Sequence, residues 1–249
     1  MNDLVLTGER TVPGVPHENY WFRRHEAAYE FLLPYAEGQT VLDVGCGEGY
    51  GTARFADVAH RVIGVDYDAG ATTHAARQYP TAGFVRANLA ALPIRSQAVD
   101  VLATLQVIEH VWDHAQFVDE CRRVLRPHGW LLVTTPNRLT FSPGAENPDT
   151  PTNPFHTHEF TATELQELLA RNGFVDVDVR GLHAGPKLRD LDGKHGGSFT
   201  DAQLATPPDQ WSNALAQDVA GVIRADFVVR AADAESALDL VVVARRPGV

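Results

Sequence analysis

The chain has 249 residues, 44% of them hydrophobic, and a formal charge of −11 from 21 basic and 32 acidic side chains. That length suits one α/β core with a generous insertion rather than two independent domains. The acidic balance, without a Lys/Arg block, argues against a nucleic-acid partner, whose phosphates need a basic face.

Apolar residues at helical spacing (Trp21, Phe22, Ala28, Phe31, Leu32) predict an amphipathic helix over 18–36, ending near Pro34 and Gly38. Short β-rich runs at 40–44, 61–66, 84–87, 99–105 and 130–135 then alternate with helical stretches at 49–59, 69–78 and 114–125. Such alternation implies right-handed crossovers and a parallel sheet. A helix at 162–172 stops at Gly173 and feeds a strand at 174–179, and the last strand covers 238–244. The interval 180–237 is far longer than a hairpin needs, and long insertions in compact domains usually carry function, so a lid is expected there. All apolar runs are strand-length or amphipathic, and the first ten residues lack the regions of a secretory signal. Cys46 and Cys121 offer neither a disulfide framework nor zinc spacing. A cytoplasmic protein with reduced thiols and no membrane span is expected.

Residues 41–51, VLDVGCGEGYG, carry the most chemistry. Val41, Leu42 and Val44 read as a buried strand, and Gly45, Gly47, Gly49 and Gly51 let the backbone turn and approach a ligand without Cβ obstruction. Asp66, 21 residues beyond Gly45, closes the second strand at the spacing that sets a carboxylate against a ribose diol. A dinucleotide site wants G-x-G-x-x-G, and Tyr50 stands where its third glycine belongs. Glycines at every second residue after Asp43 suit instead a loop wrapped around the ammonium and carboxylate of an amino acid. Cys46 reads as a small residue filling a tight turn in preference to a nucleophile.

This ordered series resembles the class I S-adenosylmethionine (SAM)-dependent methyltransferases over roughly residues 40–179 plus the last strand. The resemblance implies an α/β, Rossmann-like fold: a mostly parallel seven-stranded sheet, helices on both faces, and a lid insertion before the last strand. It divides one domain into a helical cap over 1–38, a SAM-binding core over 39–181, a lid or substrate insertion over 182–237 and a final core strand over 238–249. It implies that Asp43, Gly45, Gly47 and Gly49 line the methionine half of SAM, that Asp66 takes the ribose hydroxyls, and that Tyr67 covers an adenine face. Asn88 and Leu89 match the position that meets the adenine amino group; Asn replaces the commoner Asp there but still accepts through its amide oxygen. The plainer role for Asn88 is a turn or helix cap. Gln106 ends the fourth strand at the sheet's carboxyl edge, where open α/β sheets bind ligands. Its segment, TLQVIEHV, lacks both the Asn/Asp-Pro-Pro-aromatic sequence of amino-methyltransferases and the Pro-Cys of cytosine C5 enzymes, which favours oxygen as the acceptor.

Methyl transfer to oxygen needs water excluded, the acceptor in line with the S–CH₃ bond, and a base for its proton. His156 is the favoured base: a neutral imidazole in NPFHTHEF, the loop after the fifth strand, which lies above the carboxyl edge. Glu26 and Glu109 are the reserve candidates. The plainer reading has His156 and His158 pinning the loop. Glu109-His110 is similar to the Glu-x-x-Glu-His segment that holds a divalent ion in quinone O-methyltransferases, so Mg²⁺ is a candidate cofactor, although Gln106 replaces the first Glu and removes a hard anionic ligand. Another metal reading joins His156, His158 and Glu159, and the ligands stay open. Tyr20, Trp21 and His25 set aromatic rings beside polar groups, as a sugar surface requires. His110, His158, Lys187 and Arg189 complete the expected acceptor contacts.

The segments TGERTVPG, ENYWFRRH, GCGEGYG, VDYD, QVIEHVWD, TPNRLTFSPG, NPFHTHEF and GPKLRDLDGKHGGS resemble the mycobacterial sugar O-methyltransferases of methylmannose polysaccharide biosynthesis. That resemblance implies a short oligosaccharide acceptor, a mannoside already bearing 3-O-methyl groups, methylated at its reducing-end 1-OH. Two other readings stand beside it. A quinone or polyketide O-methyltransferase would show a more apolar pocket and a complete metal triad. A silent SAM-binding regulatory subunit would not need the intact glycine ladder with Asp43, Asp66 and several bases. The insertion surface could serve a homodimer instead of the acceptor.

Overall fold

The computed structural model describes residues 10–144 and 151–248. The amino terminus read for a secretory signal, and with it the start of TGERTVPG, lies outside the described residues. Eight strands form the sheet: β1 Thr40–Val44, β2 Arg61–Asp66, β3 Gly83–Arg86, β4 Val99–Leu105, β5 Leu125–Pro136, β6 Val175–Ala184, β7 Phe227–Arg230 and β8 Asp239–Arg245. Their order is β3-β2-β1-β4-β5-β8-β6-β7. Strands β1 to β5 are mutually parallel, whereas β8 runs antiparallel to both β5 and β6, and β7 antiparallel to β6. The expected seven-stranded, mostly parallel sheet is therefore corrected to eight mixed strands. The additional strand, β7, lies inside the segment assigned to the lid. Its Phe-Val-Val run favours a pleated surface, and β6 extends to Ala184, beyond the expected end at 179, so that Gly181 to Ala184 pair with it.

The helices are α1 Asn19–Ala36, α2 Tyr50–Ala56, α3 Ala69–Gln78, α4 His114–Val124, α5 Arg138–Phe141, α6 Ala162–Arg171, α7 Pro186–Lys194, α8 Phe199–Leu204 and α9 Asn213–Ala220. Successive strand residues point to opposite faces, and the core divides accordingly. Val41, Val101, Ala103, Leu132, Val241 and Val243 pack with α1, α2 and the helices of the insertion. Their neighbours Leu42, Leu102, Leu131, Val133, Leu240 and Val242 pack with Phe117 and Val118 of α4 and Leu165 and Leu169 of α6. Strands buried on both faces therefore read as unbroken apolar runs.

Val44 pairs with Val65, Asp66 with Arg86 and Leu105 with Thr134. The loops after β1 to β5 consequently leave from one edge. The insertion docks beside that edge onto α1, where the Asn19 side-chain amide donates to the carbonyls of Val219 and Val222. No described helix is long and apolar enough to cross a membrane.

Candidate active site

The loop after β1 is held by paired bonds: the Gly45 and Cys46 N–H groups both donate to the Val65 carbonyl, at 2.7 and 3.0 Å. Gly45 (φ +81°) and Gly49 (φ +100°) adopt left-handed backbone that side chains resist. A Cβ on Gly45 would lie 2.3 Å from Val107 Cγ2, and one on Gly49 2.6 Å from Ala75 Cβ. The loop is thus threaded tightly between β4's extension and α3. Asp43 lies beneath it, fully buried, accepting from the Thr52 hydroxyl at 2.6 Å. Burial pushes its carboxyl up to about 7. At the tip of β2, Asp66 accepts from the Gly47 N–H at 2.8 Å and, through its other oxygen, from the Asp68 N–H at 2.9 Å. Each carboxylate oxygen retains acceptor capacity for a diol.

Two concavities open at this edge. One, about 920 Å³, is lined by Tyr67, Asn88, Leu89, Val111, Trp112 and Gln116. Tyr67 and Trp112 are 68% and 88% exposed, two large rings left in water beside this hollow. Asn88 also makes the turn weighed for it, its Oδ1 accepting from the Ala90 N–H at 3.0 Å. The other, about 950 Å³, is walled by Tyr20, Trp21, Arg24 and His25 of α1, by Gln106, Glu109 and His110 after β4, by Phe141, Asn153 and His156 after β5, and by Phe199, Thr200, Leu204 and Trp211 of the insertion. His110 lines both, so the two meet there.

At that junction Gln106 has φ +58°, unusual for a side chain and typical of strained functional positions, and its amide donates to the Thr134 hydroxyl at 3.1 Å. Glu109 is buried and accepts from the Thr135 hydroxyl at 3.0 Å; burial raises its carboxyl to about 7, with His156 nearby acting in the opposite direction. His110 Nδ1 donates to the Phe155 carbonyl at 3.0 Å, and its ring stands 5.0 Å from that of His156. His156 Nδ1 lies 2.8 Å from Glu159 Oε1, and its Nε2 lies 3.1 Å from the Asn153 amide nitrogen. His25 contacts the Thr11 and Tyr50 hydroxyls, and burial lowers it to about 4, so it is neutral at ordinary pH.

Other expected residues fall elsewhere. The Glu26 carboxylate is held by Arg23 at 2.7 Å and Arg54 at 2.8 Å and is not among the cavity residues, because its helical position turns it towards α2. Lys187 binds the Gly221 carbonyl and the Asp226 carboxylate, and Arg189 binds the Ala184 carbonyl, so both tie the insertion together and neither lines the cavity. The His158 ring packs on Phe160 and His114, outside both hollows. Glu159, weighed from sequence only as a metal ligand, and Asn153 are the partners of His156; Asn153 and Trp112 were given no role from sequence. The i,i+3 spacing of His156 and Glu159 was the available signal for their pairing.

Among the described residues, one group could bring three donors to a metal: Glu109, His110 and His156, whose ligand atoms lie within 4.8 Å of one another. His158 is not part of it. A set of two imidazoles and one carboxylate does not suit Mg²⁺, which prefers oxygen ligands, and both His156 nitrogens already have hydrogen-bond partners.

The sequence comparisons point to one family, and the structural ones to its fold. Residues 42–133 match the family described as "Methyltransferase domain". A Mycobacterium tuberculosis protein named "Probable S-adenosylmethionine-dependent methyltransferase" is 53% identical over 98% of this chain and 90% of its own length. A Cereibacter sphaeroides ubiquinone biosynthesis O-methyltransferase is 30% identical over 62% of this chain and 67% of its own. Among solved structures, a SAM-dependent methyltransferase from Thermotoga maritima superposes with a TM-score of 0.62 at 16% identity, covering 91% of this chain and 93% of that one, a likeness of fold.

Proposed function

The chain belongs to the S-adenosylmethionine-dependent methyltransferases, and on that premise we propose that it methylates a sugar hydroxyl, the reducing-end 1-OH of a short 3-O-methylated mannoside. The observation that carries this reading is the larger cavity: its lining brings the Tyr20 and Trp21 rings together with polar groups, the Arg24 guanidinium 5.3 Å over the Trp21 ring and the Thr200 hydroxyl 3.3 Å from that of Tyr20, and a histidine and a buried carboxyl sit where it joins the second hollow. Aromatic faces beside hydrogen-bonding groups are what a sugar stacks on and bonds to.

When bound, SAM supplies a methyl group activated by its sulfonium. Asp66 takes the ribose hydroxyls, Tyr67, Asn88 and Leu89 take the adenine, and the glycine loop over Asp43 takes the amino-acid end. Gln106 separates that site from the acceptor. His156 accepts the acceptor's hydroxyl proton, a task eased at C1 because the anomeric hydroxyl is the most acidic of a sugar. Glu109, with a carboxyl near 7, is the group that would replace it. The donor set does not fit Mg²⁺, so no step is assigned to the ion. Insertion residues Phe199, Thr200 and Trp211 close over the acceptor in this reading, the lid role passing from Lys187 and Arg189 to them.

A quinol acceptor is the second reading, favoured by the ubiquinone-pathway relative. The polar groups Glu18, Asp192 and Thr200 in the cavity wall weigh against it. The test of the base is His156→Ala: kcat is expected to fall about 10²- to 10⁴-fold with SAM affinity retained. Retention of more than about a tenth of kcat would transfer the role to Glu109.

A further inference from the structure

We infer that Glu159 is a positioning residue, which orients the His156 imidazole and selects the tautomer in which Nε2 faces the acceptor. This inference rests on His156 being the base proposed above. Glu159 is fully buried. Its Oε1 meets His156 Nδ1 at 2.8 Å, and its Oε2 meets no hydrogen-bond donor among the described residues. A buried carboxylate is costly unless it is paired, and the pairing here is spent on a cavity histidine rather than on the surrounding core. The loop is anchored at this point: Phe160, the next residue, bridges to Asn137, and its carbonyl accepts from the Arg138 N–H at 3.0 Å.

The other ring nitrogen decides the tautomer. The Asn153 side chain lies between His156 Nε2, 3.1 Å from its amide nitrogen, and the Phe155 backbone N–H, 3.0 Å from its amide oxygen. A backbone N–H only donates, so the Asn153 oxygen faces Phe155 and its NH₂ faces the ring. Nε2 therefore carries the lone pair, and Nδ1 carries the proton given to Glu159. Glu109 and the His110 ring also face His156, but neither bonds to it through the contacts described above.

Asn153 and His156 both line the cavity, so an acceptor hydroxyl can take the place of the Asn153 amide as donor to Nε2. As the acceptor oxygen bonds to the methyl carbon, the S–C bond breaks with its electron pair going to sulfur, and the O–H proton passes to Nε2. The resulting imidazolium lies against the Glu159 carboxylate, which stabilises the charge without taking the proton.

The test compares the full-length wild type with H156A, E159Q and the double variant, by acceptor-saturated kinetics and by ¹⁵N–¹H NMR of the histidine rings, the His156 signals being those lost in H156A. The wild type is expected to show Nδ1 protonated and Nε2 bare. E159Q is expected to lower kcat about 10- to 100-fold, by analogy with the partners that orient metal-ligating histidines, with KM for SAM unchanged and with no further loss in the H156A background. A wild-type Nε2–H tautomer, an unchanged kcat in E159Q, or an equal loss from E159Q with and without His156 would overturn the inference. If H156A stays active, the base assignment falls, and the wild-type tautomer, read from the signals that H156A lacks, still judges Glu159.

Discussion

Asp66→Ala perturbs two networks at once, and the structure separates their sizes. In the folded chain the carboxylate holds the Gly47 and Asp68 N–H groups at 2.8 and 2.9 Å, and both of those residues are only half-buried. Water can replace the lost acceptor, so the cost should be near the lower end for such bonds, about 1 to 2 kcal/mol in total. For a chain of this size that lowers Tm by roughly 2 to 8 °C. Binding should suffer more, because the ribose diol loses a charged acceptor in an enclosed position: about 1.5 to 3 kcal/mol, or roughly 10- to 150-fold in Kd. Asp66→Asn keeps one acceptor and should fall between. Isothermal titration with S-adenosylhomocysteine reads the second effect, and thermal denaturation without ligand reads the first. An unchanged Kd in Asp66→Ala would refute the ribose assignment, whatever happened to Tm.

Gly45→Ala combines left-handed strain of about 1 to 2 kcal/mol with an overlap against Val107 costing about 1 to 3 kcal/mol, and should drop Tm by several degrees; a shift below about 2 °C in thermal denaturation would show that the loop is not threaded as described. Lys187→Ala removes a half-exposed ion pair with Asp226, so it should cost under about 1 kcal/mol and leave acceptor KM unchanged; a raised KM would return this lysine to the acceptor site. Asp43 and Glu109 have carboxyls raised to about 7 from ordinary values of 3.8 and 4.5. Between those values and about 7 the folded state holds more protons than the unfolded one, so their contribution is full in acid and is lost as pH rises through about 7. Urea unfolding should therefore show the stability of Glu109→Gln relative to wild type rising between about pH 5 and pH 8, and a constant difference would contradict the burial argument.

Where apolar spacing and terminators agree, the sequence predicts elements closely: α1, β1, β2 and β4 fall within a residue of expectation, bounded by Gly38 and by Asp66. Strand β5 begins five residues early because Leu125 pairs with Val99 across Pro127 and Gly129, residues that read locally as a turn. Strand β6 continues past 179 because β8 pairs with it as far as Leu182 and β7, which no local signal announces, pairs with it from Gly181 to Ala184. Tertiary pairing overrides propensity in both cases. The site divides the same way. Glycines, Asp66 and the NPFHTHEF loop declare themselves by backbone need and chemistry, whereas the Glu159–His156–Asn153 contacts, the diversion of Glu26 to two arginines and the aromatic wall from Phe199 and Trp211 exist only once distant segments meet. Lys187 and Arg189 were read from charge alone, and charge does not say which carbonyl a side chain will find.

The central claim is tested most directly by incubating the purified chain with SAM and a panel of short 3-O-methylmannosides, unmethylated mannosides, glucosides and catechol-type quinols, then reading products by mass spectrometry. The account predicts one added methyl on the 3-O-methylmannoside, with loss of its reducing end to borohydride. Methylation of the quinols with no product from any sugar would contradict it.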